Sequence, residues 1–163
     1  MATPAPSRTG IVRVVSTPEG ALVHIDGVAQ GETPVRVEVP TGAVQLDLTR
    51  PGYEPWGSRV YVGADVPLLV TATLRDVEPP SVHLGDLPSR LEPGSDVLIR
   101  ASAVDNDAIA ALALWVDGVL QAEAARGEID HRWPTGSAGP GRHRVRAEAR
   151  DRAGTVGLAE ATV

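Results

Sequence analysis

Apolar residues recur at every second position through the first half of the chain. Val12 and Val14 do so in GIVRVVS, Val23 and Ile25 in ALVHID, Val35, Val37 and Val39 in VRVEV, Val44, Leu46 and Leu48 in AVQLDLT, and Val60 and Val62 in SRVYV. A period of two with polar residues between predicts half-buried antiparallel strands, apolar on one face and solvated on the other. Turn residues separate them. Pro18 and Gly20 break the first strand from the second, Asp26-Gly27 suits the positive-φ positions of a two-residue hairpin, and Pro40-Thr41-Gly42 parts the next pair. With a last strand over residues 67–74, five or six strands fill roughly 65 residues, an ordinary density for a small β-domain.

The alternation stops at RDVEPPSVHLGDLP, where Pro79-Pro80 cannot continue a ladder, and a second set follows. Val97, Ile99, Ala101 and Ala103 share one face, Leu112, Leu114 and Val116 another, and Val145, Ala147 and Ala149 a third, with GTVGLAEATV as a closing strand. Seven short strands at turn-marked spacing predict a β-sandwich. The chain thus reads as a Pro/Ala/Ser/Thr tail over residues 1–9, a β-domain over 10–76, a linker over 77–80 and a β-sandwich over 81–163. One hexapeptide nearly repeats, IDGVAQ at Ile25 to Gln30 and VDGVLQ at Val116 to Gln121, in surroundings that do not align. It is read as one turn problem solved twice with Asp-Gly, not as a domain duplication.

Composition agrees with an all-β chain. There are 17 Gly and 14 Pro but no Phe, two Tyr and three Trp, so the cores must be built from Val, Leu, Ile and Ala. The absence of Cys removes disulfides and thiolate chemistry, and the absence of Lys removes a Walker-type phosphate loop. A net charge of −6 with scattered Arg argues against binding nucleic acid. No apolar run is long enough for a membrane span, and MATPAPSRTG has no signal-peptide core.

STPEGALVHIDGVAQGETPVRVEVPTGAVQLDLTRPGYEPW resembles the PEGA domain family, whose tetrad stands here as Pro18-Glu19-Gly20-Ala21. Ile25-Asp26-Gly27, the GETP segment Gly31 to Pro34 and the RPGYEPW segment Arg50 to Trp56 support the match, which spans residues 10–74. The second half resembles bacterial immunoglobulin-like domains through SAVD at Ser102 to Asp105, LWVDG at Leu114 to Gly118 and GRHRVRAEARDRAG at Gly141 to Gly154. These resemblances imply two tandem antiparallel β-domains, a PEGA-type sheet domain and an immunoglobulin-like β-sandwich. They also imply a non-enzymatic structural or protein-binding role in a bacterial surface or envelope assembly.

Candidate chemistry is sparse. His24, His83, His131 and His143 are scattered over different strands, no His-Glu-x-x-His occurs, and PTGSAGPG around Ser137 lacks the setting of a nucleophile elbow. No catalytic residue, no cofactor and no cofactor-binding residue is expected. Asp105 and Asp107 in DND are the calcium candidates, weighed against an ordinary turn that Asp and Asn begin by bonding their own backbone. In RHRVRAEARDR, Arg142, Arg144, Arg146, Arg150 and Arg152 share one parity with Glu148, against Val145, Ala147 and Ala149 on the other. That face is either solvated, with partners such as Glu128 and Asp130, or a stripe that docks an acidic partner. Trp115 falls out of phase with Leu114 and Val116 and is expected to be partly exposed unless a bulge reverses the parity. Tyr53 and Trp56 are expected over the edge of the first core, and Trp133 at a strand end.

The partner-binding candidates are therefore Arg142, Arg144, Arg146, Arg150, Arg152 and Trp115, with a protein partner or self-assembly expected, no nucleic acid, no membrane insertion and a glycan as a further option. As a piece of a longer exported protein the chain would be extracellular or in the envelope. As a complete chain it could instead decorate the surface or tail of a phage-like particle, and a carbohydrate-binding module is the third class kept open.

Overall fold

A computed structural model describes residues 8–92 and 94–163, whose regular structure is strands and one short 3-10 segment. Most of the sequence-predicted tail, residues 1–7, lies outside the described residues. The chain divides into two compact units, one ending at Asp76 and the next beginning at Val77.

The first unit has seven strands: β1 (Thr9–Thr17), β2 (Leu22–Ile25), β3 (Val28–Glu32), β4 (Val35–Pro40), β5 (Gly42–Thr49), β6 (Trp56–Val62) and β7 (Leu68–Thr73). They form two sheets, ordered β4-β1-β7 and β3-β2-β5-β6. The predicted alternation is realised: Val12, Val14, Val23, Leu46 and Leu48 are fully buried between the sheets, with Tyr53 and Trp56 packed at the edge of this core. Two features escaped the pattern. β3, VAQGE, has no apolar alternation and none of its residues is buried, so only its pairing with β2 makes it a strand. β7 pairs with β1 in parallel, Val14 opposite Val70, in a unit whose other strand ladders are antiparallel.

The tetrad Pro18-Glu19-Gly20-Ala21 is a turn pinned by Thr33. The Gly20 N–H donates to the Thr33 carbonyl at 2.8 Å and the Thr33 N–H to the Ala21 carbonyl at 2.9 Å. The buried Thr33 hydroxyl accepts the Ala21 N–H at 3.0 Å and shares a 2.6 Å bond with the Ser16 hydroxyl. Gly20 sits at φ +81°, where a β-carbon is strained, while Glu19 is exposed. Thr33→Val keeps the shape but strands the Ala21 N–H in the interior, and is expected to cost about 1–3 kcal/mol. Glu19→Ala is expected to be nearly silent. Thermal melting of both variants checks this contrast.

The second unit also has seven strands: β8 (Ser81–Leu84), β9 (Asp96–Val104), β10 (Ile109–Val116), β11 (Val119–Ala124), β12 (Glu128–Pro134), β13 (Arg144–Asp151) and β14 (Val156–Thr162). Its sheets are ordered β12-β9-β8 and β11-β10-β13-β14 and enclose Ile99, Leu112, Leu114, Val145, Ala147 and Ala149. Six strands of each unit follow one plan, since β1 to β6 and β9 to β14 enter their sheets in the same order. The seventh is added beside the first of the six, by β7 from the C-terminal side in one unit and by β8 from the N-terminal side in the other.

The repeated hexapeptide occupies equivalent places in this plan. Asp26 (φ 47°) and Gly27, and Asp117 (φ 50°) and Gly118, make the β2-β3 and β10-β11 turns. In each, an Asp Oδ1 accepts the N–H of the strand beyond, Gln45 in one and Arg144 in the other, both at 2.9 Å. In each, the hairpin register shifts one residue before the turn-flanking position, between Val23 and His24 and between Leu114 and Trp115.

Candidate functional site: the outer face of the β11-β10-β13-β14 sheet

Trp115 is half-exposed because the alternation along β10 runs unbroken, and the register shift, which lies in β11, does not reverse its parity. With Leu114 and Val116 buried, Trp115 points outward, and the bulge sets it opposite Leu120 on β11. On its other side Trp115 faces Arg146 of β13, which in turn faces Glu160 of β14. One row across the sheet is thus Leu120, Trp115, Arg146 and Glu160; the next is Glu123, Ala113, Glu148 and Leu158. The Arg146 guanidinium carbon lies 5.7 Å from the centre of the Trp115 ring, a cation-π distance.

Acids on the same face answer part of the arginine series. Arg144 Nη2 donates to both Glu160 oxygens at 2.6 Å, which raises the Arg144 pKa, and Arg146 Nη2 donates to Glu148 at 2.5 Å. Glu128 and Asp130, the partners considered from sequence, lie on β12 in the other sheet, where Asp130 meets Arg100 at 3.7 Å. The missed partner was Glu160, which only the β13-β14 register brings beside Arg144 and Arg146. Arg142 is exposed in the loop before β13, Arg150 is exposed opposite Ala111 and Val156, and Arg152 is exposed in the turn after β13, its N–H bonded to the Ala108 carbonyl at 3.1 Å. Exposed apolar side chains rim the row: Leu120 at 51% and Leu158 at 56%.

Trp133 is not part of this face. It is 7% exposed, within the core, and its ring meets His143 edge-on at 5.2 Å. In its protonated form His143 donates from Nδ1 to Asp117 at 2.6 Å and from Nε2 to the Gly139 carbonyl at 2.9 Å, so both ring nitrogens are engaged. The hydrogen bond to Asp117 raises the His143 pKa, and the same bond holds the Asp117 carboxyl low. The histidine contribution is present below about 6.5 and fades as pH rises through the raised value, whereas the aspartate contribution fades as pH falls through the lowered one. Asp117→Asn keeps the turn cap but removes the charge. It is expected to flatten the loss of second-unit stability between pH 6 and pH 9, measured by thermal melting across pH.

The two calcium candidates differ in setting: Asp105 is half-buried, with a carboxylate oxygen within 4.8 Å of one on Asp151. Asp107 is exposed, and its N–H donates to Asp105 Oδ2 at 3.0 Å, the backbone-bonding turn expected of Asp-x-Asp. Asp151, 1% exposed, accepts the Gly154 and Thr155 N–H groups at 2.6 and 2.8 Å and the Thr155 hydroxyl, closing the β13-β14 loop.

Residues 9–78 match the PEGA domain, and residues 87–147 match a bacterial Ig domain. Among solved structures, the chain is similar to the fibronectin(III)-like modules of CbhA from Clostridium thermocellum, at 14% identity, a TM-score of 0.45 and coverage of 99% of this chain and 80% of that one. It is also similar to BcpA, the major pilin subunit of Bacillus cereus, at 9% identity, a TM-score of 0.44 and coverage of 96% and 68%. No curated protein matches the chain. No helix among the described residues is long and apolar enough to cross a membrane.

Proposed function

We propose that this tandem of a PEGA domain and a bacterial Ig domain is a non-enzymatic structural and protein-binding module of a bacterial surface or envelope assembly. The observation that carries the reading is the row Leu120, Trp115, Arg146 and Glu160. A Trp stacked under an Arg, rimmed by exposed leucines on an open sheet face, is the side-chain set that anchors protein interfaces. Its charges are already matched in the free protein, so a partner can cover it without burying an unpaired ion. Matches to PEGA and bacterial Ig domains, families that are typically non-catalytic modules, support the same role.

A carbohydrate-binding role is less well supported. Trp133 is buried and Trp115 is roofed by Arg146, so neither offers the open ring face that a sugar would stack on.

The test is to separate source cells into cytosol, envelope and released particles, with a photo-crosslinking residue at position 120. A discrete crosslinked protein in the envelope fraction is the expected result. Recovery with released particles would replace the envelope role by decoration of a particle, and recovery in the cytosol without a crosslink would overturn the reading.

A further inference from the structure

The outer face of the β4-β1-β7 sheet in the first unit carries an arrangement that stability alone does not explain. Arg13 on β1 and Arg36 on β4 are directly opposite each other, and both are exposed. Opposed residues of an antiparallel pair have their Cα atoms about 4.5–5.5 Å apart, and like charges there repel. Neither arginine has an ion-pair partner among the described residues. The one acid on the strand ladder beside them, Glu38, sits opposite Ile11 and is bonded by the Thr9 hydroxyl. This differs from the β13 arginines Arg144 and Arg146, whose charges are met by Glu160 and Glu148.

The rest of the face is apolar or neutral. Leu69 on β7 lies beside Arg13 and is 60% exposed, Ile11 and Val15 flank Arg13 along β1, half-buried, and Thr71 follows Leu69. Two guanidinium forks side by side, bordered by aliphatic side chains, suit carboxylates spaced along an extended chain with apolar residues between them. Two cations on a chain of net charge −6 are too few to hold a polyanionic nucleic acid or an anionic bilayer, which reward many neutralised phosphates.

We propose that this face docks an acidic, extended segment of a partner protein, with Arg13 and Arg36 holding its carboxylates against Leu69, Ile11 and Val15. The surface is independent of the Trp115 row, and its test does not depend on that reading.

The full chain, labelled with nitrogen-15, is titrated with a synthetic peptide of alternating Glu and Val and with its Lys-for-Glu counterpart. Saturable shifts confined to the outward residues of β1, β4 and β7, seen only with the acidic peptide, are expected. Arg13→Gln with Arg36→Gln should weaken binding at least tenfold while leaving Tm unchanged or higher, because the repulsion is gone. Absence of saturable binding, shifts elsewhere, equal affinity in the double variant, or a lower Tm showing that the pair is structural would each overturn the proposal. So would Arg13- and Arg36-dependent sedimentation with vesicles containing phosphatidylglycerol, or self-association that the double variant abolishes, since either would assign the face to a different occupant.

Discussion

Leu114→Ala is expected to remove about 2–5 kcal/mol from the second unit, with the upper end the better estimate for this position. Leu114 is completely buried on β10, between Ala122 of β11 and Ala147 of β13, in a core that also uses Ala101, Ala103 and Ala149. The cost of a large-to-small change depends on how far the surroundings can collapse into the space left behind. Alanine has no rotamer to swing and no length to extend, and the chain has no Phe to move in. The cavity therefore stays open. Against a total stability of about 0.05–0.15 kcal/mol per residue, such a loss takes a large share of what a unit of this size has. Hydrogen exchange at the β10 and β13 amides should accelerate by orders of magnitude in the variant. Leu114→Met, which conserves volume, should cost less than about 1.5 kcal/mol. Equal and small effects of both changes would mean that the alanine-rich wall is more compliant than its packing indicates.

The same features explain why so much of the fold is legible in the sequence. With cores made of Val, Leu, Ile and Ala, joined by Trp133 in the second unit, burial alternates strictly along the long strands, so β1, β5, β9 and β13 can be read directly from period two. The Asp-Gly turns are legible for a second reason. Asp26 and Asp117 adopt positive φ, and each also caps a neighbouring strand through its carboxylate, so one short string encodes both turn and register. What the sequence hides is pairing. β3 has no buried face to betray it, and the parallel β1-β7 ladder joins segments far apart in the chain. The shared six-strand plan of the two units is hidden for the same reason, because their sequences agree only at the hairpin.

The candidate faces follow that division. Which side of β13 is basic is a local property and could be read from parity alone. Whether that side is neutralised depends on Glu160, which is brought across by the β13-β14 register. Likewise Arg13 and Arg36 are unremarkable in their own strands, and only the β1-β4 register makes them a pair. Sequence separation, not weakness of signal, is what conceals a surface built across strands.

Gly157→Ala is expected to have an effect out of proportion to one methyl group. A β-carbon at Gly157 would lie 1.8 Å from the Pro80 carbonyl oxygen and 2.8 Å from its carbon, both backbone atoms that cannot rotate aside. Gly157 is thus the place where the Pro79-Pro80 segment approaches β14, a contact that the Thr155 hydroxyl reinforces by donating to the Glu78 carbonyl at 2.9 Å. Those residues read as a linker in the sequence, yet their backbone is held against the second unit. In the variant, either residues 78–80 leave β14, breaking the Thr155 bond and loosening β8, or β14 shifts away from Ala149 on β13. Forcing a side chain into such a contact costs about 1–3 kcal/mol and more where backbone must move. Limited proteolysis and hydrogen exchange together distinguish the two outcomes: cleavage within residues 77–81 marks release of the segment, and faster exchange along β13-β14 marks a displaced strand. Gly139→Ala, where an added β-carbon meets nothing within 4 Å, is the control and should melt with the wild type. A Gly157→Ala protein that did the same would show that the close approach of Pro80 to β14 is dispensable.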